Sequence, residues 1–161
     1  MLQIEKFIMM GGGIFLFHRC LRIAHFTKNP IVLFLCRIVL RLYRLFYGLE
    51  ISYVCNIGKG LYIGHPYNIT INPKVVIGEH CFIHKGILLG QENRGHRKGC
   101  PQIGNRVWIG INAAVVGNIK IGDDVLIAPN SYVNIDIPSH SVVYGNPCVV
   151  KHRDNATEGY I

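Results

Sequence analysis

The sequence is short of charge. Only 16% of its 161 residues are Asp, Glu, Lys or Arg, while half are apolar. That balance suggests surface buried between subunits or set against a membrane. Acidic residues are the scarcest: nine against seventeen Lys and Arg, for a net charge of +8. The excess of positive charge favours anionic partners such as nucleic acid, anionic lipid or a phosphorylated small molecule. Nucleic acid drops out, because the basic residues lie in separate segments and no nucleic-acid module is present. CxxC pairs are also lacking. Cys20, Cys36, Cys55, Cys81, Cys100 and Cys148 are too widely spaced for a small disulfide-stapled domain. Reduced thiols in a cytoplasmic protein are therefore expected, with Cys55 and Cys81 as small buried hydrophobes. A membrane-length apolar run is missing too. Residues 7–17, FIMMGGGIFLF, resemble a signal-peptide core but have no convincing cleavage site after them, and residues 31–47 are interrupted by charge.

What remains of the N-terminus, residues 1–48, reads as a helical, basic and apolar segment. Thr27-Lys28-Asn29-Pro30 is a turn with a helix start after it, and Gly48 closes that second helix. Arg37, Arg41 and Arg44 fall at i, i+4 and i+7, on one helical face, with Leu, Ile and Phe over the rest. Such a helix suits two roles, packing on a neighbouring subunit or peripheral contact with anionic lipid on the inner face of the membrane.

From residue 49 to 152 a different order takes over. An aliphatic residue returns every six positions: Ile51, Ile57, Ile63, Ile69, then Ile77, Ile83, Leu89, then Ile103, Ile109, Val115, Ile121, Ile127 and Val133. Six fits neither a helix nor a simple strand, so this is a repeat architecture of short strands and tight turns. Each hexad forms one side of a three-sided coil of about eighteen residues. The aliphatic residue points inward, and the small residue after it, often Gly, lets the chain turn the corner. Two interruptions stand out. Two extra residues enter around Asn72-Pro73. Between Leu89 and Ile103 the spacing is fourteen rather than twelve, and Gln91–Cys100, QENRGHRKGC, loses the pattern and reads as a loop. The stretch IPSHSVVYGNPCVVKHR caps the stack, and residues 153–161 are expected to be a flexible tail.

The hexads, with N-R-V-W-I-G at 105–110 and V-V-Y-G-N-P at 142–147, resemble the hexapeptide-repeat acyltransferases. The resemblance implies a mainly β fold, a left-handed parallel β-helix after the helical segment. It also implies acetyl-CoA as co-substrate, no metal, and a homotrimer with sites between subunits. Within the family the chain looks most like the serine acetyltransferase branch. Glu50–His65, EISYVCNIGKGLYIGH, matches its acidic residue followed fifteen positions later by a histidine, and loop 91–101 fits it without a gap. The match makes His65 the general base and Glu50 its orienting partner. It also implies that coenzyme A is held by main chain near Gly90, Gly110, Ile111 and Ala128. The departures from the branch are Gly64 where it has aspartate, and Gly99-Cys100 where it has Arg-His, positions that contact the amino-acid substrate. The long helical N-terminal domain of that branch, which adds another substrate contact, is likewise not expected. Shortened relatives with GLYIGHP and a basic loop are encountered as O-acetyltransferases of surface-polysaccharide synthesis. The reading carried forward is therefore acetyl transfer to a sugar or polysaccharide hydroxyl, with serine O-acetylation and a non-catalytic scaffold at a membrane as alternatives.

The chemistry asks for these residue types. A hydroxyl must lose its proton as it attacks the thioester, which a neutral imidazole accomplishes, and a carboxylate on the other ring nitrogen holds the ring and stabilises its charged form. Arg94, His96, Arg97 and Lys98 in the loop are candidates to meet phosphate or an anionic acceptor, with Cys100 as a substrate-loop residue and a candidate nucleophile whose thiol the basic neighbours would acidify. Trp108 reads as packing between subunits. A zinc site of the γ-carbonic-anhydrase kind, drawing on His80, His84 and His65 or His96, lacks that family's five-residue histidine step.

Overall fold

In the computed structural model, residues 11–161 are described, with side chains from Ile14 onward. The first part of the apolar stretch 7–17, and residues 1–10 of the helical segment, lie outside the described residues. The chain divides into two compact units between Leu49 and Glu50.

The first unit holds α1 (Gly11–Phe26) and α2 (Pro30–Tyr47). The expected turn is there for a physical reason. The Asn29 side chain accepts from the amides of Ile31 (2.9 Å) and Val32 (3.3 Å), satisfying two orphan donors, and Pro30 fills the first helical position. Gly48, at φ 65°, ends α2 by donating to the Arg44 carbonyl. Phe17, Cys20, Leu21, Ala24 and Cys36 are buried, and Phe17 meets Tyr43 edge-on at 5.3 Å. Phe34, Leu35, Leu45 and Phe46 remain exposed. Among the described residues no helix is long and apolar enough to cross a membrane.

The second unit is a parallel β-helix with three stacked sheets. One stacks β1 (Leu49–Ile51), β4 (Ile69–Ile71), β7 (Leu88–Gly90), β10 (Ala114–Val116) and β13 (Tyr132–Val133). The second holds β2 (Asn56–Ile57), β5 (Val76–Ile77), β8 (Gln102–Ile103) and β11 (Lys120–Ile121). The third holds β3 (Tyr62–Gly64), β6 (Phe82–His84), β9 (Trp108–Ile109), β12 (Val125–Ile127), β14 (Ser141–Tyr144) and β15 (Val149–His152), the last antiparallel to its neighbour. Every aliphatic residue of the six-residue series is buried. A second inward row sits two positions before it and includes Cys55, Val75, Cys81, Ile87, Val107, Ala113 and Ile119. Each side of the coil thus contributes two side chains to the core.

Pairing registers correct the arithmetic of the interruptions. Trp108 pairs with Leu126, eighteen residues on, which is one plain coil. Tyr62 pairs with Phe82, twenty on, so the Asn72-Pro73 slip adds the two residues expected. Phe82 pairs with Trp108, twenty-six on. The loop therefore inserts eight residues into one coil, where the hexad count suggested two. Counting hexads hid this because fourteen is also one hexad plus eight.

The glycines have a different reason from the expected one. Gly58, Gly78, Gly104 and Gly122 do not have positive φ; the corners that do are Gly60, His80, Arg106, Asp124 and His140 on one edge and Asn68, Gly86, Asn112 and Asn130 on another. What excludes a side chain is contact between coils. A Cβ on Gly58 would lie 2.5 Å from the Gly78 carbonyl carbon, and one on Gly78 2.5 Å from the Gly104 carbonyl oxygen. The stack closes only if those positions carry hydrogen.

The C-terminal stretch 153–161 does not behave as a free tail. Arg153 donates to the His140 carbonyl, Ala156 and Thr157 are buried, and Tyr160 meets Trp108 edge-on at 5.0 Å. Trp108, Leu126 and Ala156 form a small apolar cluster on the outside of the third sheet. Trp108, expected at a subunit contact, is covered by the chain's own terminus.

Candidate functional site

His65 leaves β3 at φ 54°, although it lies outside both corner stacks and precedes a proline. Left-handed backbone at a non-glycine residue costs roughly 1–2 kcal/mol and needs local support. Here the support is a three-residue turn over Pro66, in which the Tyr67 amide donates to the His65 carbonyl at 2.8 Å. The His65 side chain is exposed. The sequence thus spends strain to aim one imidazole outward from an otherwise regular coil.

Beside it stands a residue the sequence reading considered only as a zinc ligand. Gly64 pairs with His84 across the coils, and the His65 and His84 rings lie 6.1 Å apart with planes 28° from parallel. His84 in turn stacks on Phe82 at 4.7 Å and meets Trp108 edge-on at 5.0 Å. Its Nδ1 is buried with no hydrogen-bond partner, an uncommon state for a polar atom. Burial pushes the His84 imidazole below its ordinary range, and the neighbouring His65 adds to that. The signal was available in the sequence: adding the two-residue slip to one coil places position 84 beside position 64.

Gly64 gains a reason from the same geometry. A Cβ there would meet Phe82 Cε2 at 2.7 Å and both Cε1 and Nδ1 of His84 at 3.0 Å. The departure from aspartate is matched by two rings that fill the space a side chain would need.

Glu50 is exposed on β1, in the same coil as His65. The loop predicted at 91–100 is a hairpin built on Glu92. Glu92 and Gly99 exchange backbone hydrogen bonds at 2.9 and 3.0 Å, and the Glu92 carboxylate accepts from the amides of Asn93 and Arg94. The Arg97 carbonyl accepts from the Asn118 amide, which pins the hairpin to the next corner. Gly99 takes φ 140°, and a Cβ there would lie 2.9 Å from Asn118 Cβ. Arg94, His96 and Lys98 project into solvent, while Arg97 and Cys100 are half-buried. The expectation for the Cys100 thiol is reversed: burial pushes it up, and Lys74, the one cation acting on it, does not overcome that. It is a poor nucleophile at neutral pH.

Gly90 ends β7, and Gly110 and Ala128 follow β9 and β12 on adjacent coils. Gly110 and Ala128 donate their amides to Ile127 and Val143 in the coil stack, and the Gly90 carbonyl accepts from Gly117. The Ile111 carbonyl accepts from Asn130. These positions line coil edges whose main chain is already held rigid.

An imidazole–carboxylate pair went unread in the sequence. His140 Nδ1 lies 2.8 Å from the Asp124 carboxylate, which is buried and also accepts from the Thr157 hydroxyl (2.6 Å) and the amides of Thr157 and Ala156. Burial alone would push this carboxyl up, but those four hydrogen bonds prevail and hold it down at about 2. With its oxygens occupied, Asp124 fastens the C-terminal stretch to the coil. Among the described residues no group of three His, Cys, Asp or Glu side chains is placed to hold a metal ion.

Comparison with known proteins gives the geometry a context. Residues 100–134 match the family described as bacterial transferase hexapeptide (six repeats). A serine acetyltransferase of Helicobacter pylori is 36% identical over 135 residues, covering 84% of this chain and 79% of the relative. One from Synechococcus elongatus is 34% identical over 134 residues, covering 83% of this chain but 55% of the relative. Among solved structures, soybean serine acetyltransferase apoenzyme superposes with a TM-score of 0.72 at 29% identity, over 86% of this chain and 57% of that one. A serine acetyltransferase in complex with CoA superposes at 0.69 and 26% identity, over 84% and 55%. The chain thus spans little more than half of several proteins it resembles.

Proposed function

The chain belongs to the bacterial hexapeptide-repeat transferases, and on that premise we propose that it is an acetyl-CoA-dependent O-acetyltransferase with His65 as general base. The observation that carries this is the outward-aimed His65, held in left-handed backbone by its own turn where the coil alone gives no reason for it. In the reaction, His65 takes the proton of the acceptor hydroxyl as its oxygen attacks the thioester carbonyl. The tetrahedral intermediate then collapses, expelling the CoA thiolate, which takes the proton from the His65 imidazolium and so restores the base. Glu50 orients the ring and stabilises the imidazolium. Coenzyme A lies along the coil between two subunits of a homotrimer, by Gly90, Gly110, Ile111 and Ala128, with the basic loop to meet its phosphates. The exposed apolar residues of α2, with Arg37, Arg41 and Arg44, support peripheral contact with an anionic membrane surface.

The names of the relatives make L-serine the first acceptor to test, and they favour it over a sugar. A second reading, transfer to a sugar or polysaccharide hydroxyl, rests on a specific observation. Gly64, Gly99 and Cys100 supply no charged group where the serine enzymes use Asp, Arg and His, and Phe82 and His84 fill the space at Gly64. The test is CoA release from acetyl-CoA with L-serine and with a panel of sugars and glycans, using wild type and His65→Ala. Acceptor-dependent release lost in His65→Ala supports the assignment. Near-full turnover in that variant overturns it.

A further inference from the structure

We propose that His84 is a specificity-determining residue of the acceptor pocket, donating a hydrogen bond from Nε2 to an acceptor oxygen on the carbon next to the one whose hydroxyl His65 deprotonates. This rests on His65 being the base, and it names the kind of acceptor substituent the pocket takes. The pairing of Gly64 with His84 sets the two imidazoles side by side, 6.1 Å apart and nearly parallel. Phe82 and Trp108 hold the His84 ring from two other directions, at 4.7 and 5.0 Å. The ring presses its Nδ1 edge against Gly64, where that atom is sealed without a partner.

The tautomer follows from that seal. A buried N–H without an acceptor is among the rarest states in a folded protein, so the proton belongs on Nε2, the nitrogen left facing out of the seal. Burial and the neighbouring His65 both keep His84 uncharged near neutral pH. The face offered to the acceptor is therefore one N–H donor with no negative charge. A hydroxyl, ether or carboxylate oxygen can accept from it. An ammonium group cannot, because it carries donors alone and would set positive charge beside a donor. The pocket selects an alcohol that sets an oxygen, rather than an ammonium, against this N–H.

Glycerol and serinol are matched probes, since they share shape and differ by one hydroxyl against one ammonium. With acetyl-CoA and the wild-type protein, kcat/KM should favour glycerol by about tenfold or more. His84→Leu should collapse that preference toward unity through the KM for glycerol, and His84→Gln, which keeps an amide donor, should restore part of it. Wild-type preference for serinol, transfer to neither probe, or a preference unchanged in both variants overturns the proposal. Nitrogen-15 NMR of the wild-type histidines supplies a reading that needs no variant to fold. Nε2 of His84 should be protonated and Nδ1 bare, and the opposite tautomer overturns it. Acceptor-dependent turnover surviving in His65→Ala would instead remove the base assignment, a failure distinct from either.

Discussion

A histidine and a carboxylate stand in the coils at each end of the β-helix. In the first coil, His65 is exposed on a strained turn with Glu50 exposed on the strand that opens the same coil. Near the last coil, His140 touches a buried Asp124 whose oxygens are filled by Thr157 and Ala156. A carboxylate bonded to a histidine ring nitrogen resembles catalytic geometry, yet this carboxylate is filled by contacts that hold the chain end. What the carboxylate fastens is what separates the two. The last coil spends its hydrogen bonds on holding the chain end, and the first coil keeps an exposed imidazole beside a half-buried one with an unpartnered nitrogen.

The largest expected effect breaks the comparison most cleanly. His65→Ala should lower acetyl transfer by about 10²- to 10⁴-fold, with little change in thermal melting because the ring is exposed. His140→Ala should do the reverse, lowering the melting temperature while kcat on folded protein stays near wild type. If His140→Ala lost turnover as severely as His65→Ala, the division into working and structural ends would be wrong.

Asp124 sharpens the contrast through pH. Its folded pKa lies below its unfolded one, 3.8 moving to about 2, so the folded state binds the proton less readily. The stabilisation is therefore complete above about pH 4 and is lost as pH falls from about 4 to about 2, with a magnitude of roughly 2 kcal/mol. Urea denaturation at pH 7 should show Asp124→Asn weaker by about that amount, and the wild-type and variant curves should converge near pH 2. Proteolysis should nick the C-terminal stretch first in the variant. A constant gap across that range would mean the charge of Asp124 is not what fastens the chain end.

How much of this was legible varies with the kind of information. The core was, since each aliphatic residue of the six-residue series is buried, and periodicity alone carries inward facing. The role of the stacked glycines was not, because it depends on the distance between coils, which no local pattern encodes. His65 was legible as a histidine within a motif, but its strain and its turn over Pro66 were not. His84 was missed because its partner in space, Gly64, is twenty residues away in a coil whose length had slipped by two. The docking of 153–161 was missed because it hangs on one buried carboxylate, Asp124, in a stretch where the sequence shows only two consecutive aspartates.

Glu50→Gln is the smallest change and the most discriminating for the first coil. If Glu50 orients the His65 ring and stabilises its charged form without itself moving a proton, the amide keeps an oxygen to accept from the ring and loses the stabilising charge. A fall in kcat of about tenfold follows, roughly 1.4 kcal/mol of barrier, smaller than the loss in His65→Ala. Glu50 is exposed, so water screens part of its field and no larger penalty is expected. Steady-state kinetics should show the loss in kcat, with the KM for acetyl-CoA held within about twofold, since a change confined to the charged form of His65 acts on the transition state alone. A loss equal to that of His65→Ala would make the carboxylate an obligate partner in proton transfer, and the first coil would then depend on its pair as tightly as the last one does.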